Sequence, residues 1–224
     1  MASSVFSEAL DRTAVKVCGV KTGEQASAVI EAGADALGIN FWPKSKRFIA
    51  LEEALPWLLE LAGVVPRVAV TVNASDDELC ALHESGGLDW LQLHGDETPD
   101  RVSSLIQQGL PVFKALGIKD EAMLEAASDF PGSTLLLDAY APVEYGGSGE
   151  TMDWSLGAKA VKQWPERQIV LAGGLNPDNV AVAVRQVRPA AVDVASGVES
   201  APGLKDIELV RRFVEAATCP SLSE

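Results

Sequence analysis

Basic residues are in short supply. The chain carries 18 Lys and Arg against 32 Asp and Glu, a formal charge of −14. Non-specific binding to nucleic acid or to an anionic membrane needs a basic face, so neither partner is expected. A small anionic substrate is still compatible, because a few local donors override a global field. Cysteine is equally sparse: Cys18, Cys80 and Cys219 are odd in number and far apart. No disulfide framework or zinc pattern emerges from that spacing, and a reducing compartment is the economical reading. No run approaches the ~18 apolar residues of a membrane span. The opening MASSVFSEALDR lacks the basic and apolar regions of a secretory signal. These shortages together predict a cytoplasmic protein.

What is present is a regular beat. A chain of 224 residues buries roughly 70% of its unfolded surface, and α/β barrels of this size are single domains. Residues 1–13 are small and polar with weak helical spacing (Val5, Phe6, Ala9, Leu10) and read as a loosely docked lead-in. From residue 14 to 224 short apolar runs recur: Ala14–Cys18, Ala36–Phe41, Arg67–Val72, Trp90–His94, Val112–Ala115, Thr134–Asp138, Ile169–Ala172 and Ala191–Val194. Almost continuously apolar, they suit strands buried on both faces. Helix-patterned segments lie between them, at Gln25–Ala32, Leu51–Leu61, Asp76–Ser85, Pro99–Gln108, Lys119–Ala127, Ser155–Trp164, Asp178–Val187 and Asp206–Ala216. Ser75 before Asp76-Asp77-Glu78, and Asn176-Pro177, signal helix starts. Strand–helix alternation requires parallel pairing, and eight such units fit a closed (β/α)8 TIM barrel, with no composition break to mark a second domain.

In that architecture chemistry belongs to the C-terminal strand ends and the loops after them. Those ends read Cys18, Asn40, Asn73, His94, Lys114, Asp138, Gly173-Gly174 and Asp193. Packing alone does not explain so many apolar runs ending on polar residues or glycine. Cys18 in isolation is a small buried hydrophobe; last in its strand and followed by glycine, it is expected to be exposed at the functional face. Cys80 falls on the apolar side of a helix and reads as core, Cys219 as incidental, His83 as surface. Asp138 closes Leu135-Leu136-Leu137. A cap is one reading; a carboxyl desolvated at an apolar edge is also a plausible general acid. The glycine-rich stretch that follows, AYAPVEYGGSGETMDW, is long for a βα connection and suits a lid or ligand contact.

Arg47, in Pro43-Lys44-Ser45-Lys46-Arg47, is either a solvated charge or a bidentate partner for a substrate carboxylate. His94 reads as a neutral hydrogen-bonding group. In the last quarter, Leu171-Ala172-Gly173-Gly174-Leu175 and Val194-Ala195-Ser196-Gly197-Val198-Glu199 end the seventh and eighth strands. Glycines there let backbone N–H groups approach an anion, and a short helix after strand eight would aim its N-terminus at it. The loops after strands seven and eight are the recurring phosphate site of barrels.

Six blocks in order, KVCGVK, GADALGINFWPKSKRF, LQLHGDE, LLLD with YGGSG, LAGGLNPDNV and VDVASGVES, resemble the phosphoribosylanthranilate isomerase family over nearly the whole chain from residue 14. The resemblance implies an Amadori rearrangement in tryptophan biosynthesis, converting N-(5-phosphoribosyl)anthranilate to the carboxyphenylamino-deoxyribulose phosphate. It implies Asp138 as general acid, Cys18 as general base and Arg47 as anchor for the anthranilate carboxylate. Phosphate would be held by the backbone around Gly173, Gly174, Ser196 and Gly197, with His94 and Asp193 matching the family pattern as further substrate-binding residues. Neither metal nor cofactor is required, and the protein would act as a monomer or homodimer on a small phosphorylated substrate. An ordinary thiol has a pKa of about 8.5, so the surroundings of Cys18 are expected to help it ionise; Lys21 is near in sequence. Ala195 departs from the serine often found before Ser196-Gly197. The rival readings are a histidine-pathway aminoaldose isomerase, which has an aspartate in place of Cys18, and a catalytically silent phosphate-binding barrel.

Overall fold

Runs of four to seven residues that are apolar on both faces are not stable at an open sheet edge. Here they close on themselves. Strands β1 (Ala14–Cys18), β2 (Ala36–Asn40), β3 (Arg67–Thr71), β4 (Trp90–Leu93), β5 (Val112–Ile118), β6 (Thr134–Ala139), β7 (Gln168–Leu171) and β8 (Ala191–Val194) pair in parallel in chain order. β8 returns to β1, with Lys16 opposite Asp193. The structure, a computed structural model, describes residues 5–6, 11–140 and 151–219. Each strand is followed by a helix: α1 (Gly23–Glu31), α2 (Leu51–Glu60), α3 (Asp76–Glu84), α4 (Pro99–Gln107), α5 (Glu121–Ala126), α6 (Trp154–Gln163), α7 (Val180–Val187) and α8 (Ile207–Thr218). This is the (β/α)8 barrel that the alternation predicts. Among the described residues no helix is long and apolar enough to cross a membrane.

Strand parity divides the core in two. Val15, Val17, Leu37, Ile39, Leu91, Leu93, Leu135 and Leu137 join the cluster shared with the helices. Their neighbours Ala14, Ala36, Val68, Phe113, Leu136, Val170 and Ala191 form a separate cluster inside the barrel, near the strands' N-terminal ends. Alternate side chains on a strand face opposite ways, so one residue of register decides between barrel interior and helix layer. Val5 and Phe6, from the expected lead-in, belong to the inner cluster and are almost fully buried. Gln168 secures them: its Nε2 donates to Phe6 O at 2.9 Å and its Oε1 accepts from Phe6 N at 3.3 Å.

Several boundaries differ from the sequence expectation by a few residues, and three of these shifts have a clear local reason. β5 runs on to Ile118 because β6 pairs with it through Gly117↔Asp138 and Ile118↔Ala139. α5 therefore starts later, at Glu121, capped by Asp120, whose side chain accepts from Met123 N. α7 starts at Val180 rather than Asp178, since Asn176 Oδ1 takes the N–H groups of Asp178 and Asn179 in a local turn. A small antiparallel pair, β9 (Glu199–Ala201) and β10 (Leu204–Lys205), was not anticipated. The Ser75 start is as expected: Ser75 and Glu78 form a reciprocal capping box.

Candidate active site

The inner parity that carries Ala14, Ala36, Leu136 and Ala191 at the barrel floor carries Cys18, Gly38, Asp138 and Asp193 nearer its C-terminal mouth. Cys18 ends β1, but is only 9% exposed, not openly presented as its strand-end position suggests. Its companion is Lys16, two residues back on the same face and completely buried. Lys16 Nζ donates to Asp193 Oδ1 at 2.8 Å. Gly38, the register partner of Cys18, leaves the space between them open: a Cβ there would lie 2.8 Å from Cys18 Sγ and 3.0 Å from Lys16 Nζ.

The thiol does not titrate as the sequence suggests. Burial pushes Cys18 above the ordinary thiol range and, with Asp193, outweighs the pull of Lys16, Lys205 and Arg47 toward thiolate. For Lys16 burial is again the largest effect and lowers its pKa, but Asp193 and Cys18 more than offset it, so the ammonium sits above its usual value. Lys21 is not the helper its place in sequence suggested: its stem runs beside Gly203. Lys16 was overlooked, although a lysine in phase with Cys18 on an otherwise apolar strand was a readable signal.

Asp138, on β6, is buried. Its Oδ1 accepts from Ala139 N at 2.8 Å, and its Oδ2 lies 3.4 Å from His94 Nε2. The Gln92 amide lies on the other side of the ring, its Nε2 3.2 Å from His94 Nδ1. His94 and Asp138 are therefore brought together. Gly173 closes in from β7: with φ +85° it holds a left-handed conformation, and a Cβ would come within 2.9 Å of Asp138 Oδ1.

Arg47 lies across Gly19, where any Cβ would collide with the arginine stem. Its guanidinium is already engaged, with Nε and Nη2 each 2.8 Å from the two carboxylate oxygens of Glu199. Lys205 Nζ holds the same carboxylate at 2.8 Å and the Ala195 carbonyl at 3.0 Å. The Nη1 side of the fork lies outside this pair. Glu199 and Lys205 come from the unforeseen β9–β10 pair, and nothing in the local sequence marked them.

The two glycine loops meet. A Cβ on Gly197 would overlap the Leu175 carbonyl, and Ser196–Val198 form a single 3-10 turn, the short helix expected after β8. Gly174, also left-handed, accepts at its carbonyl from Asn179 Nδ2 at 2.9 Å, while Asn179 Oδ1 accepts from Asn176 N at 2.8 Å. Gly173, Gly174, Ser196 and Gly197 thus border one region, beside Asp138 on one side and the Lys205 brace on the other.

Other strand-end residues serve the scaffold. Lys114 sits inside β5, with the parity of the helix-facing side. Its Nζ donates to the carbonyls of Leu93, Gly95 and Ala115 and pairs with Glu97 at 3.1 Å. Glu97 also accepts from the backbone N–H groups of Asn73 and Gly95. Burial, the largest effect, lowers the Lys114 pKa despite Glu97. Asn40 Oδ1 turns the chain by accepting from Trp42 N. Cys80 packs half-buried against the core, while Cys219 and His83 are exposed. Of the glycine-rich stretch after β6, residues 139–154, the part at 141–150 lies outside the described residues.

Comparison with known proteins points to one family. A family model described as N-(5'phosphoribosyl)anthranilate (PRA) isomerase matches residues 15–216. An N-(5'-phosphoribosyl)anthranilate isomerase of Geobacter sp. (strain M21) is 47% identical over 92% of this chain and 98% of its own. The crystal structure of phosphoribosyl anthranilate isomerase from Thermotoga maritima superposes with a TM-score of 0.81 at 39% identity, covering 92% of this chain and 98% of that one. A phosphoribosyl anthranilate isomerase in complex with reduced 1-(o-carboxyphenylamino)-1-deoxyribulose 5-phosphate does so with a TM-score of 0.78 at 37% identity and the same coverage.

Proposed function

The chain belongs to the N-(5'-phosphoribosyl)anthranilate isomerase family, an aldose–ketose isomerase family, and we propose that Asp138 and Cys18 divide the acid and base work of that rearrangement. The observation that carries the assignment is that a carboxyl on β6 and a thiol on β1 share one barrel mouth. Both occupy inward positions, with an arginine and two contiguous glycine loops around them. The activity serves tryptophan biosynthesis.

Asp138, oriented by Ala139 N and His94, protonates the ribose ring oxygen of N-(5-phosphoribosyl)anthranilate, and the ring opens to an iminium. The iminium acidifies the adjacent carbon, so a modest base suffices. Cys18 takes the C2 proton as thiolate, and the C–H electron pair forms the C1–C2 double bond of an enolamine. Tautomerisation yields the ketone. Arg47 offers the side of its fork not held by Glu199 to the anthranilate carboxylate. Backbone N–H groups around Gly173, Gly174, Ser196 and Gly197 receive the phosphate. Asp193 acts through Lys16 rather than on the substrate.

The working partner is this small phosphorylated substrate, with no nucleic acid or membrane, and the protein is a cytoplasmic monomer or homodimer. Purified protein without added metal or cofactor is expected to consume the fluorescent anthranilate adduct. Expression of the chain is expected to restore growth to a tryptophan auxotroph lacking this step. Failure of both would remove the reading in favour of a silent phosphate-binding barrel. Turnover of the two-phosphate histidine-pathway substrate alone would favour the other isomerase.

A further inference from the structure

Lys16 is a fully buried ammonium in a strand that otherwise reads Ala, Val, Val, Cys. A buried charge is costly unless paired, and the barrel needs no cation at this position for packing. Asp193, its register partner across the β1–β8 seam, supplies the pairing at 2.8 Å. The second neighbour is the Cys18 thiol, two residues on along the same face of β1, whose negative form draws the ammonium's charge. Gly38 lets the two approach: the point that a Cβ would occupy is 2.8 Å from Sγ and 3.0 Å from Nζ. A side chain at position 38 would force one of them to shift.

We propose that Lys16, held charged by Asp193, is the positioning residue that sets the ionisation of Cys18, and that the missing side chain of Gly38 leaves the room in which ammonium and sulfur face each other. The proposal rests on reading Cys18 as the base. During the reaction the thiolate takes the C2 proton and becomes a neutral thiol; the C–H electron pair moves into the enolamine. No proton leaves Lys16, whose charge is returned wholly to Asp193 until the thiol ionises again. Asp193 therefore acts in two directions. It keeps Lys16 protonated, and it competes with the thiolate for it.

The charged groups around the sulfur are Lys16 on its own strand, Asp193 on β8, Arg47 from the loop after β2 and Lys205 on β10. Glu199 stands behind the last two and already neutralises them in part. Lys16 is the largest of the influences toward thiolate, and Asp193 opposes it. Opposite signs are therefore expected from the two substitutions, a result that loss of structure alone does not produce.

The experiment measures carboxamidomethylation of Cys18 by iodoacetamide from about pH 6 to 10, bracketing the ordinary thiol pKa. It is read on the Cys18 peptide by mass in a Cys80→Ser, Cys219→Ser background, with kcat/KM followed over the same range. Lys16→Met is expected to raise the alkylation midpoint by about one to three units, the usual effect of a close opposite charge. The thiolate fraction at neutral pH, and turnover with it, then falls at least about tenfold. Asp193→Asn is expected to lower the midpoint. Lys16→Met with Asp193→Asn avoids an orphaned buried carboxylate, should the single lysine variant not fold, and is expected to show a smaller rise. Unmoved midpoints in folded variants, or shifts of the same sign for both single changes, would overturn the proposal. A Cys18→Ala enzyme that keeps turnover while the midpoints still move would instead remove Cys18 as the base, leaving its coupling to Lys16 standing.

Discussion

Arg47 and Glu199 meet in a two-pronged ion pair, each bond 2.8 Å, that joins the loop after β2 to the strand after β8. The pair links the proposed carboxylate anchor to the phosphate side of the mouth, because Lys205 ties the same glutamate to Ala195 O. With Glu199 nearly buried, the guanidinium is fixed in one orientation before substrate arrives. Preorganised groups of this kind lower the entropy lost on binding.

Glu199→Gln is expected to raise KM about tenfold or more while leaving kcat within a few-fold, since it loosens an anchor and not the reacting groups. Steady-state kinetics on the anthranilate adduct measures it. The carboxyl also predicts a pH response. Burial raises its pKa, but hydrogen bonds from Arg47 and Lys205 outweigh that and leave it below the usual glutamate value. A depressed folded-state pKa contributes stability above the unfolded value, about 4.3 for glutamate, and loses it as pH falls through the folded value. The brace should therefore hold at neutral pH and fail only in acid below about pH 4. Thermal melts of wild type and Glu199→Gln should converge there.

Cys18→Ala and Asp138→Asn each remove a proposed proton-transfer group from a buried position without adding volume. Each is expected to lose about a hundredfold or more in kcat while remaining folded by circular dichroism. Near-normal kcat in either variant would show that its assigned role is wrong.

Gly173→Ala puts a methyl group into a left-handed position against Ala139 N and Asp138 Oδ1. Both the backbone and the proposed acid must shift, so kcat and phosphate affinity are expected to fall together. Gly109→Ala, also left-handed but with open space around it, serves as control and should leave activity unchanged. Unaltered kinetics in Gly173→Ala would place the phosphate loops elsewhere.

Phe6→Ala empties a nearly covered ring at the barrel floor, remote from the mouth. A loss of about 3–5 kcal/mol is expected, as for other buried phenylalanines. Urea denaturation checks it, and kcat at low denaturant should be unchanged. A change under about 0.5 kcal/mol, the size of a surface substitution, would mean that residues 5–6 do not close the floor.

Architecture was readable because it depends on short-range pattern. Continuous apolar runs alternating with helical periodicity specify parallel crossovers, and all eight strands and all eight helices fall where that pattern puts them, within a few residues. Cys18, Asp138 and the two glycine loops could be placed at one end because a barrel presents its strand ends on one side. Side-chain parity was less visible. It places Lys114 on the helix side, bracing Glu97, although its place in the run resembled that of a site residue.

The sequence by itself determined the beat of strands and helices and the family to which the chain belongs, since both reside in local order along the chain. Tertiary structure alone decided who meets whom. Lys16 touches Asp193 across 177 positions, and Arg47 touches Glu199 across 152. Closing the barrel sets those distances, and no local propensity encodes them. The same closure buries Cys18 close to an ammonium, so that burial raises its pKa while the charge pulls the other way.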